Sequence, residues 1–181
     1  MSILVTVVGE ITILFLVRRL KQICNEKKFF RIAISLLIAY LLGVFMITLG
    51  HRTTDYAGET NLVLFSTFQR MFAPTVHRLQ EWGFPRGLRE LRWIGYKSWE
   101  SVILNLLMLL PLGYLLPLCY RGMKRWWSVI LTGFVLSLLI ETLQLLTHKG
   151  WFDVDDIFLN TLGALIGYGL YKAILRKSSN D

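Results

Sequence analysis

Cysteine is scarce: the chain has two, Cys24 and Cys119. No spacing here suits a disulfide framework or a metal site, and both thiols fall near the expected cytoplasmic boundary, where they stay reduced. Glycine-rich loops able to cradle nucleotide phosphates are absent, as are internal repeats and low-complexity tracts. Acids are fewer than bases, 12 against 20, giving a formal charge of +8. Those bases are spread over several loops and form no single domain face, which argues against a nucleic-acid partner. The start of the chain lacks the basic n-region and small-residue cleavage site of a secretion signal, so its apolar run reads as a retained, reverse-oriented anchor.

What the chain does have is apolar length. Hydrophobic residues make up 54% of its 181 residues, too many for an ordinary soluble domain of this size. Five apolar runs stand out, at 1–17, 32–49, 101–119, 128–147 and 157–175. A helix needs about 20 residues to cross the hydrocarbon, and there each backbone polar group must be satisfied within its own helix. The expected fold class is an all-α integral membrane protein: a five-span transmembrane helix bundle with an interfacial helical segment between spans two and three.

Charge orients the bundle. Arg18, Arg19, Lys21, Lys27, Lys28 and Arg31 face one acid, Glu26, between the first two spans. Arg121, Lys124 and Arg125 lie between spans three and four, and Lys172, Arg176 and Lys177 cluster at the end of span five. The turn between spans four and five is acidic, with Asp153, Asp155 and Asp156 against Lys149. Positive-inside bias then puts the N-terminus outside and the C-terminus in the cytoplasm. Residues 50–98 run against this bias, carrying Arg52, Arg70, Arg78, Arg86, Arg89, Arg92 and Lys97 on the outer side, although long loops translocate with less regard to charge. Their interleaved Trp82, Phe84, Trp93, Tyr96 and Trp99 suit the water–lipid boundary. The segment is expected to cover the bundle or to meet an anionic lipid or polymer surface. The organisation is thus 1–49, two N-terminal spans; 50–98, an outer interfacial loop; and 99–181, a three-span core.

Polar residues inside apolar runs narrow the search for a site. At about 100° per residue, Ser137, Glu141, Gln144 and His148 share a stripe of span four, and Asp156, Asn160, Gly163 and Gly167 share one of span five. A short loop makes these two spans antiparallel neighbours. Asn105 on span three reaches a similar depth, and Glu10 on span one is a deeper, weaker candidate. A buried carboxylate in a membrane marks a functional site by default. The competing structural reading is helix packing: "GALIG" from Gly163 to Gly167 is a small-xxx-small motif, and Asn160 could bond Glu141 or Gln144 across it. The aspartates could bind a divalent cation or cap a helix N-terminus, and capping accounts for one or two of the three. Pro111, Gly113 and Pro117 should kink span three, with neighbours satisfying the freed carbonyl. The candidate ligand-binding residues are Asn105, Glu141, Gln144, Asp153, Asp155, Asp156 and Asn160. No cofactor, catalytic residue or metal ligand can be assigned.

"NLLMLLPLGYLLPL" followed by "SLLIETLQLLTHKGWFDVDDIFLNTLGALIGYGL" resembles the VanZ-like membrane proteins. The matching residues are Asn105, Pro111, Gly113, Glu141, Gln144, Asp153, Asp155, Asp156, Asn160, Thr161 and Gly163. Upstream, "NLVLFSTF" resembles the family's Asn-Leu-x-Pro-Phe segment through Asn61 and Phe65, with Leu64 in place of the proline. The resemblance covers about 50–175. It implies a multi-pass bacterial cell-membrane protein that lowers sensitivity to teicoplanin-type lipoglycopeptides, and it brings no established reaction. The expected partner is a membrane lipid, a lipid-linked cell-wall component or the glycopeptide antibiotic itself, held in an outward-facing polar pocket. Two alternatives stand beside it: a metal-assisted enzyme acting on a lipid-linked phosphate, with Glu141 as base, and a structural partner of another membrane protein.

Overall fold

The computed structural model describes residues 3–50, 60–82 and 96–175. Among them, four helices are long and apolar enough to cross a membrane: Glu26–Gly50, Trp99–Cys119, Trp126–Leu146 and Val154–Ile174. The first helix, α1 (Ile3–Ile23), matches these in length with 21 residues. It is not one of the four, and it carries Glu10, Arg18, Arg19 and Lys21.

The second helix, α2 (Glu26–Phe45), starts where Asn25 accepts the Lys28 amide at 2.9 Å, a side-chain N-cap that begins the span ahead of its apolar run. A π-helical turn, Met46–Gly50, extends it. Part of the expected interfacial segment is a helix, α3 (Ser66–Trp82). Residues 51–59 and 83–95, including Arg52, Arg86, Arg89, Arg92, Phe84 and Trp93, lie outside the described residues.

The third span is irregular near its middle, where its prolines begin. Helix α4 (Tyr96–Met108) gives way to α5 (Leu110–Cys119), with Leu109 between them and Pro111 in the first turn of α5. Proline tolerates a first turn because its missing amide would be unpaired there anyway. Beside Leu109, Tyr40 of α2 donates its hydroxyl to the Met108 carbonyl at 2.5 Å, so a neighbouring helix partners a carbonyl at the irregular point. A 3-10 turn, Arg121–Lys124, leads into α6 (Trp126–Leu146), and α7 (Val154–Leu170) continues as a second π-helical turn, Tyr171–Leu175.

Helix α7 packs against α4, α5 and α6, and small residues let it do so. A β-carbon on Gly163 would stand 2.0 Å from the Leu106 carbonyl oxygen, and one on Gly113 would stand 2.0 Å from that of Ala164. Backbones meet at these points, as the small-xxx-small pattern requires. Against α6 the antiparallel register is direct: Gly133 faces Ala164, and Ser137 meets Asn160 one turn further along. The buried core gathers Val17, Leu109, Tyr114, Leu115, Val129 and Ala164. Leu131, Phe134, Val135 and Leu139 stay exposed on α6, an apolar face suited to hydrocarbon.

One feature has no counterpart in the all-helical expectation. Two residues of the segment before α3, β1 (Thr60–Asn61), pair in parallel with β2 (Phe152–Asp153) in the α6–α7 turn. Such a bridge joins segments that belong to no helix, where backbone amides need partners from elsewhere.

Candidate functional site

The site is built where α6 hands over to α7. Ser137, Glu141 and Gln144 are all buried on one face of α6, as their spacing predicts. His148 is not on that face: the helix stops at Leu146, and His148 is exposed with φ of 53°. The His148 amide bonds the Leu145 carbonyl at 3.2 Å and the Lys149 amide bonds that of Gln144 at 2.9 Å, the paired bonds of a Schellman ending. The chain therefore turns away one residue before the stripe reaches the histidine. Lys149 then reaches across to the Leu49 carbonyl at 2.5 Å, while Gln144 donates to the Thr48 carbonyl at 3.3 Å. Both tie the turn to the end of α2.

The three aspartates go in three directions. Asp153 caps its own helix, accepting the Asp155 amide at 2.9 Å. It also accepts from Asn61 Nδ2 at 3.0 Å, and its own amide donates to Glu141 at 3.1 Å. Asp155, 1% exposed, serves a different helix. Its carboxylate accepts the Phe65 amide at 2.5 Å and the Thr67 amide at 2.7 Å, at the start of α3. Phe65 holds φ of 63° to make that approach. A negative charge at a helix N-terminus, receiving otherwise unpaired amides, is favourable on both counts. Asp156 accepts a hydrogen bond from Asn105 of α4.

All seven predicted residues are thus engaged inside the fold, most of them around the α6–α7 turn. Asn105 and Asp156 meet directly, as do Glu141 and Asp153. Asn160, fully buried, bonds Ser137 at 2.9 Å rather than Glu141 or Gln144. The antiparallel register explains this, because it sets Asn160 one turn deeper than Glu141. Asn160 Oδ1 has no hydrogen-bond partner although it is buried, a costly state for an amide oxygen. Among the described residues no three or more His, Cys, Asp or Glu side chains are grouped as a metal cluster. Glu10 lies apart from this group, near Tyr114, which donates its hydroxyl to the Glu10 carboxylate at 3.4 Å.

Asn61, Ser66 and the amides of Phe65 and Thr67 belong to the same cluster. Asn61 Nδ2 also contacts Ser66 Oγ at 2.5 Å, so it joins the start of α3 to the Asp153 turn. Composition and periodicity give no sign of this. The upstream motif "NLVLFSTF" was the available signal, because a polar residue followed by an apolar run and a serine matches a turn entering a helix.

A protein-family model described as VanZ/LLP1 matches residues 29–176. Comparison with curated proteins and with solved structures gives no match. The matched stretch takes in α3 and every residue of the cluster, from Asn61 to Asn160.

Proposed function

The chain belongs to the VanZ/LLP1 family, and from that premise we propose that it is a cell-envelope membrane protein that lowers sensitivity to teicoplanin-type lipoglycopeptides. In this reading the apolar part of α1, up to Val17, is a fifth span, the N-terminus lies outside, the C-terminus is cytoplasmic, and α3 rests at the outer interface. The acidic α6–α7 turn then faces the cell wall. There Asn105, Glu141, Gln144, Asp153, Asp155, Asp156 and Asn160 recognise an anionic or amide-bearing head group, either of a lipid-linked wall component or of the acylated antibiotic.

One observation carries this reading. Within the family-matched stretch, Asn61, Glu141, Asp153 and Asp155 join three separate segments in one hydrogen-bonded network, and Asn105 from a fourth pairs with Asp156 beside it. Burying the carboxylates of Glu141 and Asp155 near a bilayer is expensive, and packing alone does not require ionisable groups. A second reading has its own support. Each of these side chains has an internal partner, as a structural clasp for the outer end of the bundle would require.

Susceptibility separates the two. Wild type and Glu141→Gln are expressed at equal membrane levels in a teicoplanin-sensitive Gram-positive host, and teicoplanin and vancomycin are titrated. Teicoplanin protection by wild type that disappears in the variant is the expected result. Protection retained by Glu141→Gln favours the clasp. A wild type without protection removes the resistance reading.

A further inference from the structure

The opposite end of the bundle holds a cavity of about 870 Å³. It lies roughly 30 Å from the acidic turn, the length of a 21-residue helix. Its rim carries Lys21, Lys27, Arg121, Lys124 and Lys172, with Glu26 as the acid among them. These cations come from the α1–α2 corner, the 3-10 turn before α6 and the end of α7, so folding collects them from three places in the chain. Among the described residues, Lys27, Arg121, Lys124 and Lys172 form no ion pair with an acid. Crowding like charges around open space is unfavourable unless an anion enters it.

The walls narrow the class of anion. Phe29, Phe30 and Leu118 line the same cavity, and Phe30 is also 44% exposed, so an apolar side chain of α2 stands at its edge. Tyr120, Trp126 and Trp127 are exposed at this level, as expected where a helix leaves the hydrocarbon. A free anion has no use for an apolar edge, whereas a lipid does: its head group enters among the cations while its chains remain along the helices. Basic pockets between spans on the cytoplasmic side are suited to phosphate-bearing lipid heads.

We propose that this cavity is a binding site for the phosphate head group of an anionic phospholipid of the adjacent leaflet. Burial, and then the neighbouring Lys124, lower the Lys21 ammonium from its ordinary value of 10.5, a strain that a bound phosphate relieves. The site is separate from the acidic cluster and does not depend on the resistance reading.

The test uses the full chain purified in detergent, with lipid adducts counted by native mass spectrometry. Phosphatidylglycerol and phosphatidylcholine are added in turn, and glycerol phosphate is supplied as a competitor. Phosphatidylglycerol is expected to bind at least about tenfold more tightly than phosphatidylcholine, and Arg121→Gln/Lys124→Gln to abolish that preference. Lys28→Gln/Arg31→Gln, which removes two charges outside the cavity lining, is expected to keep it. Equal binding of both lipids, or equal loss in the two double variants, overturns the site. Displacement of the lipid by glycerol phosphate overturns the lipid assignment. Should the cavity double variant fail to fold, the exposed single change Arg121→Gln decides on the same criteria.

Discussion

At the α6–α7 turn, carboxylates and amides are directed at one another and at helix ends, and they join segments as distant in sequence as Phe65 and Asp155. At the α1–α2 end, five cations surround open volume with Glu26 as the acid on the rim. One end turns polar groups of opposite kind on one another, and the other gathers charges of one sign. Polar groups that complete each other fix a structure, and their removal should cost stability. Like charges left around a space hold little together, so their removal should cost almost none. The bundle thus has a clasped end and an open end, and the difference can be measured.

The largest effect is expected at the seam on which the clasp stands. Gly163→Ala would drive a β-carbon to within 2.0 Å of the Leu106 carbonyl oxygen, and backbone there cannot step aside without moving α4 against α7. Overpacking of this kind costs about 1–3 kcal/mol or more. Thermal unfolding in detergent should show a clear loss, while Gly9→Ala, with nothing within 4 Å of the added carbon, stays near wild type. Equal behaviour of the two variants would mean that the helices do not meet at Gly163.

Next in size is the clasp itself. Asp155→Ala strands two amides of α3 that now end on a carboxylate, at about 1–3 kcal/mol. The loss should be local as well as global. Amide hydrogen exchange should rise first over residues 61–69, with α6 and α5 still protected. Uniform exchange across the chain would show that α3 is held by something other than Asp155.

How far these features were legible depends on sequence distance. Four of the five expected spans reappear as long apolar helices, since hydropathy and helical period are properties of contiguous residues. The glycine stripe of α7 and a helix cap at either Asp153 or Asp155 were legible for the same reason, and the structure gives the cap to Asp153. The bridge from Asn61 to Asp153 spans 92 residues, and no period reports a pairing of that kind. His148 shows the converse error, because a stripe extrapolated past Leu146 takes no account of where the helix stops. Pro111 signalled a disturbance in span three, but periodicity could not say that it would fall at Leu109.

The smallest effect belongs to the open end, and its sign follows from linkage. Lys21 is lowered in the folded protein, by burial first and by Lys124 second. A base whose folded value lies below its unfolded value binds fewer protons when folded, so stability rises with pH across the window up to 10.5. Lys124→Gln removes the second cause and narrows that window. The variant should therefore match or slightly exceed wild type at neutral pH, by a few tenths of a kcal/mol at this half-buried position, and gain less on alkaline titration. Tyrosines and cysteines that titrate nearby are common to both proteins and cancel in the difference. Added phosphatidylglycerol should flatten the wild-type slope in the same way, because a bound phosphate favours the charged ammonium. A slope unchanged by both the substitution and the lipid would leave Lys21 shifted by burial alone and remove the like-charge crowding that distinguishes this end from the clasped one.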